Sequence, residues 1–129
     1  NPVGSKHKPY TQEGTTILVK LRQFDPDDQE YVRIDTTRAQ WYPGQVNGLS
    51  VMPLHSYKDE QVALVKWEPG TRFTEHVHPK GEEIFVLSGT FADEYGVYPA
   101  GTWIRNPAGG SHTPYTDEGC VIYVKTGHL

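Results

Sequence analysis

The chain has 129 residues, a formal net charge of −4 and a single cysteine, Cys120. This length is typical of one domain with a core of its own, and the acidic balance excludes the basic footprint of a nucleic-acid-binding protein. No apolar run reaches the ~20 residues of a membrane span, no signal-peptide pattern appears, and a lone cysteine excludes a disulfide framework, so we expect a cytoplasmic protein with no membrane partner.

The first segment of the chain repeats a later one. Residues 1–20 align with residues 106–125 without gaps, and 12 of the 20 positions are identical. A repeat of this quality indicates tandem modules. We therefore interpret residues 1–22 as a partial repeat, the tail strands of a preceding module, and residues 23–129 as a complete domain of a two-module parent. His7 corresponds to His112 in this repeat, but no second histidine pair accompanies it, so we expect His7 to bind nothing.

Strand-forming residues dominate the part of this repeat from Thr15 to Arg22. Because unpaired strands invite strand addition, we predict that this segment pairs with an edge of the complete domain or of a neighbouring copy. We therefore predict a homodimer, in which the two copies could exchange their N-terminal strands.

The rest of the chain predicts strands and no long amphipathic helix. An acidic turn covers residues 24–29, and a turn with an aromatic plug covers residues 41–44. The predicted strands cover residues 31–36, 49–54, 61–68, 76–78, 83–89, 90–94, 101–105 and 120–125. Thirteen glycines and ten prolines supply turns between them. About eight short antiparallel strands predict an all-β jelly-roll barrel, with Cys120 as core filling.

Three histidines and a carboxylate have the spacing of metal ligands. His76 and His78 stand two apart, so on an extended strand both imidazoles lie on the same face. A three-residue turn follows, after which Glu82 can return a carboxylate opposite the histidines. A glycine- and proline-rich stretch then supplies His112. Glu83 is the alternative carboxylate, because a slip of one residue exchanges the two faces of a strand.

These runs resemble the two signature motifs of the cupin superfamily. The first pattern is Gly, five residues, His-x-His, three or four residues, Glu, six residues and Gly, and it falls on Gly70, His76, His78, Glu82 and Gly89. The second pattern is Gly, five residues, Pro-x-Gly, two residues and His, and it falls on Gly101, Pro107, Gly109 and His112. Thr116 stands where that pattern has a final Asn, a position that is not a metal ligand. The resemblance implies a cupin jelly-roll β-barrel in which His76, His78, Glu82 and His112 hold a metal.

Residues 81–101 and 119–125 are similar to one cupin subgroup, the cupin module of ChrR-type anti-sigma factors. That subgroup includes zinc-binding anti-sigma proteins and, more distantly, iron-dependent enzymes that cleave β-diketones such as acetylacetone. The resemblance implies one divalent transition metal, which is Zn, Fe(II), Mn or Ni. The His-x3-Cys-x2-Cys arrangement of the sigma-binding domain is absent from the sequence, so we do not expect this chain alone to bind a sigma factor.

Two functions from different classes fit these ligands. Four protein ligands close a tetrahedral zinc site, whereas an octahedral ion keeps about two adjacent positions for oxygen and a chelating substrate. The first hypothesis is a metal-dependent dioxygenase that acts on a small diketone or phenolic ketone, with Glu82 as a candidate base. The second hypothesis is a non-catalytic sensor module that binds a metal or a small ligand.

Several aromatic residues near the motifs are candidates for an apolar pocket over the metal. They are Phe73, Phe85, Phe91, Trp103 and Tyr115. Ordinary packing in the barrel core is the alternative role for each of them. Arg105 is a candidate anchor for a substrate oxyanion or carboxylate, with a surface ion pair as the alternative. His55 and His128 are expected to be packed or solvated.

Overall fold

The structure is a computed structural model that describes residues 1–129, and all of its regular elements are β-strands. The chain divides into two units, Asn1–Arg33 and Ile34–Leu129. No helix in the structure is long and apolar enough to span a bilayer. The all-β class predicted from the sequence is confirmed, because every regular element is a β-strand.

The first unit contains turns, bends and irregular backbone but no strand. The strand predicted from Thr15 to Arg22 is absent, and the large apolar side chains of this segment are more than half exposed. They are Ile17, Leu18, Val19 and Leu21. A segment of high β propensity forms a strand only where a neighbouring strand completes its hydrogen bonds, and this unit offers none.

The strand predicted over residues 31–36 is also absent. Residues 31–35 have no regular structure, and a turn begins at Thr36. Asp35 organises that turn, because its Oδ1 accepts a hydrogen bond from the backbone nitrogen of Thr37 at 3.0 Å and its carbonyl oxygen accepts from the nitrogen of Arg38 at 3.1 Å. Local side-chain-to-backbone hydrogen bonds of this kind compete with strand formation.

The second unit holds nine strands. In chain order they are β1 (Tyr42–Pro43), β2 (Leu49–Tyr57), β3 (Glu60–Trp67), β4 (His76–His78), β5 (Glu82–Asp93), β6 (Gly96–Pro99), β7 (Trp103–Asn106), β8 (Gly110–His112) and β9 (Cys120–Thr126). Seven of them form one antiparallel sheet in the order β1-β2-β3-β9-β5-β6, with β7 paired to β5. The strands β4 and β8 form a separate two-stranded sheet.

The strand β5 departs from simple alternation at one point. Val86 pairs with Ile122 and Ser88 pairs with Val121, so that Leu87 is an extra residue in the ladder. This β-bulge resets which residues face inward. The members of the hydrophobic core in β5 are Ile84 and Val86 before it, at even positions, and Phe91 after it, at an odd position. The two strands predicted at residues 83–89 and 90–94 are thus one strand with a bulge.

The hydrophobic core is formed by residues of the strands β2, β3, β5 and β9. Its fully packed members are Leu49, Trp67, Ile84, Val86, Phe91, Cys120 and Ile122. Trp67 and Phe91 meet edge to face with their ring centroids 5.5 Å apart, an arrangement that aromatic quadrupoles favour. Cys120 belongs to this cluster, as expected for a residue that fills the core.

Burial predicts that the thiol of Cys120 is chemically inert. Burial raises the pKa of Cys120 to about 11, and the residue is 5% exposed. At pH 8 only roughly one thiol in a thousand is then the reactive thiolate. We expect no modification of the native protein by an aromatic disulfide reagent over minutes, and full modification in 6 M guanidinium. Rapid modification of the native protein would contradict this burial.

Candidate metal centre

The two-stranded sheet brings the histidines together. His76 pairs directly with His112 in the ladder between β4 and β8, and His78 pairs with Gly110. Because His76 and His78 are two residues apart on one strand, both rings lie on the face that His112 also occupies. The ligand atoms of the three histidines lie within 4.8 Å of one another.

Glu82 completes this cluster from the first position of β5. Its Oε1 lies 3.3 Å from Nε2 of His78, and its Oε2 lies 3.3 Å from Nε2 of His112. The side-chain amide of Asn106, its partner across β5 and β7, donates a hydrogen bond to Oε2 at 3.1 Å. The carboxylate is therefore held among the imidazoles by a neighbouring strand.

Glu83, the alternative carboxylate, lies on the other face of the same strand. Its Oε2 is 3.2 Å from Nε2 of His128, and its Oε1 is 4.0 Å from Nε of Arg105. Adjacent strand residues point to opposite faces, so only one of the two glutamates can face the histidines. The structure places Glu82 there.

Hydrogen bonds on the far side of two rings direct their Nε2 atoms toward the cluster. Nδ1 of His76 lies 3.0 Å from the carbonyl oxygen of Thr74, which can only accept, so this nitrogen carries the proton. Nδ1 of His112 lies 3.4 Å from Oδ2 of Asp93. In each ring the remaining nitrogen, Nε2, then keeps a free lone pair, as in many metal sites.

The electrostatics of the cluster suit a cation. Burial and the neighbouring imidazoles lower the pKa of His78 to about 4, and the same causes lower the pKa of His112. Both rings are therefore neutral near pH 7, which is the form that binds metals. Burial raises the pKa of Glu82 to about 7. Four electron-pair donors converge in a partly buried space, with Nε2 of His78 and His112 only 3.2 Å apart. This arrangement fits a divalent transition metal.

A cavity of about 180 Å³ adjoins the cluster. His76, Glu82 and His112 form part of its wall, and apolar side chains from β2, β3, β5 and β9 form most of the rest. The apolar members are Leu49, Val51, Val65, Trp67, Phe73, Ile84, Phe91, Pro114, Ile122 and Val124. The lining also includes the polar residues Gln45 and Thr126. The site therefore combines metal-ligating groups with a small, mostly apolar chamber.

Two of the five aromatic residues proposed for the pocket line this cavity, namely Phe73 and Phe91. The other three do not. Phe85 and Trp103 are cross-strand partners on the opposite face of β5 from Ile84, and Trp103 is 56% exposed. The ring of Tyr115 packs under the guanidinium of Arg72, at 4.7 Å. Their assignment to the pocket is corrected, because strand alternation turns Phe85 and Trp103 outward.

Two further sequence candidates of the second unit, Arg105 and His128, contact Glu83 and not the histidine cluster. The side chain of Arg105 is 49% exposed and lies next to Glu83, which is the position of a surface ion pair rather than of a cavity anchor. His128 is packed against Glu83. In the first unit, the Nδ1 atom of His7 lies 3.2 Å from the side-chain amide of Asn1.

Several residues of the site were missed from the sequence. Trp67, Ile122 and Val124 line the cavity, and the alternation within the predicted strands at 61–68 and 120–125 was a signal for them. Asn106 and Asp93 contact Glu82 and His112. Asn106 directly precedes Pro107 of the second motif, and this position was a signal for it. Asp93 has no such signal. It lies 11 positions after Glu82, and simple alternation would place the two residues on opposite faces of the strand, so only the bulge at Leu87 brings them to the same side.

An antiparallel β-fold that gathers three histidines in this way defines a cupin with a histidine cluster of the metal-binding type. Residues 29–129 match the family model of the ChrR Cupin-like domain, and the chain belongs to that family. The family resemblance expected from the motifs is thereby confirmed.

Solved structures with the same fold include proteins of different function. A putative acetylacetone dioxygenase from Methylibium petroleiphilum PM1 aligns with a TM-score of 0.70 and 17% identity, over 75% of this chain and 76% of that one. An acetylacetone dioxygenase from Acinetobacter johnsonii aligns with a TM-score of 0.64 and 18% identity, over 92% and 80%. A chain of the Rhodobacter sphaeroides complex of SigE with the anti-sigma ChrR aligns with a TM-score of 0.64 and 22% identity, over 72% and 52%.

At these identities the similarities show the cupin fold. No curated protein sequence matches the chain.

Proposed function

We propose that this chain is a divalent-metal-binding cupin that acts as a metal-dependent dioxygenase on a small diketone or phenolic ketone. The observation that carries the proposal is that His76, Glu82 and His112 belong both to the donor cluster and to the wall of the apolar cavity. A small, mostly apolar molecule in that cavity lies beside the metal-ligating groups. A purely structural metal site needs no such chamber.

Each group in the site has a role in this proposal. Nε2 atoms of the three histidines and the carboxylate of Glu82 hold Fe(II), Mn, Ni or Zn. When bound, a redox-active ion supplies the one-electron chemistry that lets dioxygen react with an organic substrate. The apolar wall, including Phe73 and Phe91, binds the hydrocarbon part of the substrate and excludes water.

Glu82 is also the base in this proposal. Both of its oxygens contact the histidines, so Glu82 would act as a base only with a carboxylate oxygen released from the cluster. That oxygen would accept a proton from the acidic carbon between two carbonyls or from a phenol. This assignment follows from its position in the cavity wall.

Oxygen uptake tests the proposed activity. The metal-free protein is loaded in turn with Fe(II), Mn, Ni and Zn, and uptake is followed over a panel of β-diketones and phenolic ketones. We expect uptake with Fe(II) and at least one substrate, and none with Zn, which has no redox chemistry. The absence of uptake with every metal and every substrate, in protein shown to hold the metal, would reject the dioxygenase.

A non-catalytic sensor module is the second candidate function. The observation that favours it is the short distance of 3.2 to 3.3 Å between the donor atoms of His78, His112 and Glu82, which suits a closed tetrahedral zinc site. X-ray absorption at the zinc edge distinguishes the two candidates. Four protein donors with no solvent ligand favour the sensor, and five or six ligands favour the enzyme.

The paired glutamates test which carboxylate binds the metal. We expect Glu82→Gln to weaken metal binding by about 10- to 100-fold or more, because the amide removes a charged donor. Glu83→Gln is the matched control, since it makes the same chemical change one residue away on the other face of β5 and should leave the affinity within about 2-fold. Competition with a chromophoric chelator gives both dissociation constants. A larger loss in Glu83→Gln would assign the ligand role to Glu83.

We also propose that residues 1–22 are the tail of a preceding cupin module and that Thr15–Arg22 pairs with a sheet edge of a second copy. The exposure of Ile17, Val19 and Leu21 supports this pairing, since β-prone apolar residues gain burial by strand addition. Light scattering of the full chain should give a dimer, and the double variant Ile17→Asp, Val19→Asp should give a monomer. A wild-type monomer at high concentration would reject the proposal.

A further inference from the structure

A second carboxylate, Asp93, contacts the histidine cluster from behind. It is the last residue of β5 and is 5% exposed. Its Oδ2 lies 3.4 Å from Nδ1 of His112, on the side of the ring opposite Nε2. His112 itself is 3% exposed, so water has little access to this contact.

The other oxygen of Asp93 is fully engaged. Oδ1 accepts hydrogen bonds from the backbone nitrogens of Tyr95 at 2.8 Å and Gly96 at 3.1 Å, and from the hydroxyl of Tyr98 at 2.9 Å. These three donors fix the carboxylate in one orientation, and that orientation presents Oδ2 to His112. The ring of Tyr98 stacks on Phe91 with centroids 6.3 Å apart, which holds the hydroxyl donor in place.

Stabilisation of the turn after β5 does not by itself explain why Asp93 stands here. The two backbone nitrogens of the turn are satisfied by Oδ1, yet Oδ2 is also buried, and its partner is an imidazole. A buried carboxylate is strongly disfavoured unless both oxygens are paired. The next residue adds a second tie between the same segments, because Oε2 of Glu94 accepts a hydrogen bond from the nitrogen of Thr113 at 2.8 Å.

We infer that Asp93, oriented by Tyr98, is the positioning residue for the ligand His112 and raises the electron-donating strength of its Nε2. The inference rests on the metal binding of the proposed function. A carboxylate that accepts from Nδ1–H fixes the tautomer and the ring orientation of the histidine, and it makes the opposite nitrogen a stronger ligand. Asp93 does not line the cavity, and its hydrogen-bonding contact with the proposed ligands is with His112. Its charge also acts through space on Glu82, where it helps to raise the pKa.

The test compares metal binding by Asp93→Asn with that of the wild type. Cobalt(II) serves as the probe, because its visible spectrum reports the ligand field and titration gives the dissociation constant. We expect the variant to bind cobalt about 10- to 100-fold more weakly, with a shifted ligand-field band. Asp117→Asn, which removes an exposed carboxylate paired with Arg72, is the matched control and should match the wild type in both readouts.

Tyr98→Phe keeps the inference testable if Asp93→Asn does not fold. That variant removes one donor to Oδ1 but keeps the carboxylate, so we expect a smaller loss of affinity, about 2- to 10-fold, and a shifted band. Wild-type affinity and an unchanged spectrum in Asp93→Asn, or in Tyr98→Phe where only that variant folds, would overturn the inference. Failure of the wild type to bind cobalt, zinc or iron would instead overturn the proposed function and this inference with it.

Discussion

Replacement of His112 by alanine is expected to weaken metal binding strongly and to remove most of the thermal stabilisation that metal provides. Nε2 of His112 lies 3.2 Å from Nε2 of His78 and 3.3 Å from the carboxylate of Glu82, so its loss opens the centre of the donor set. We expect the dissociation constant to rise by about 100-fold or more. A ligand at 100 times its dissociation constant stabilises a protein by about 2.7 kcal/mol, and the variant should lose most of that increment.

Metal content by mass spectrometry and melting curves with and without metal measure both effects. The matched control is His7→Ala, at the position that corresponds to His112 in the internal repeat. It should change neither metal content nor melting temperature. Equal losses in the two variants would show that His7 belongs to a metal site as well.

Gly89→Ala is expected to destabilise the fold strongly. Gly89 has a φ of +70°, which disfavours any residue with a Cβ, and a Cβ there would lie 2.0 Å from the carbonyl oxygen of Gly119 and 2.8 Å from Cα of Cys120. Both contacts are backbone atoms of the segment that leads into β9, so neither can move without disturbing the central sheet. The left-handed backbone costs about 1–2 kcal/mol and the overpacking about 1–3 kcal/mol more.

Gly70→Ala separates these two contributions. Gly70, the first glycine of the same motif, has a φ of +79°, but a methyl group added at its Cα would meet no other atom within 4 Å. It should lose only the backbone contribution of about 1–2 kcal/mol. Urea unfolding of the two variants gives the difference, and equal destabilisation would mean that the close approach of Gly119 is relieved by small shifts.

The sequence was sufficient to predict which histidines form the cluster. It was not sufficient to derive how the strands that carry them come together. The two-residue spacing of His76 and His78 predicts a shared face, because strand geometry alone dictates it. The pairing of His76 with His112 depends on how β4 and β8 meet, a long-range contact across 36 positions that no local pattern encodes. The prediction that His112 joins His76 and His78 therefore came from the resemblance to the cupin motifs and not from a physical argument.

Alternation explains both the successes and the failures among the pocket residues. Phe91 lies in the cavity wall because the bulge at Leu87 brings odd positions inward after Val86. Phe85 precedes the bulge and lies one residue from the inward-facing Ile84, so it faces out. Closeness in sequence to the motif was therefore a misleading criterion for choosing pocket residues. The strand predicted at Thr15–Arg22 is absent for a different reason. High β propensity does not produce a strand where no neighbouring strand completes its hydrogen bonds.

The bulge in β5 has a consequence for how this domain tolerates change. One continuous strand delivers Glu82 to Nε2 of His112 and Asp93 to its Nδ1, so the ring is held between two carboxylates that strict alternation would place on opposite faces. Loss of the bulge with the strand length unchanged would leave Glu82 in position and turn Phe91 and Asp93 toward the exterior. The bulge is thus a functional constraint of its own, and we expect relatives that keep both carboxylates to keep either this extra residue or a regular strand one residue shorter.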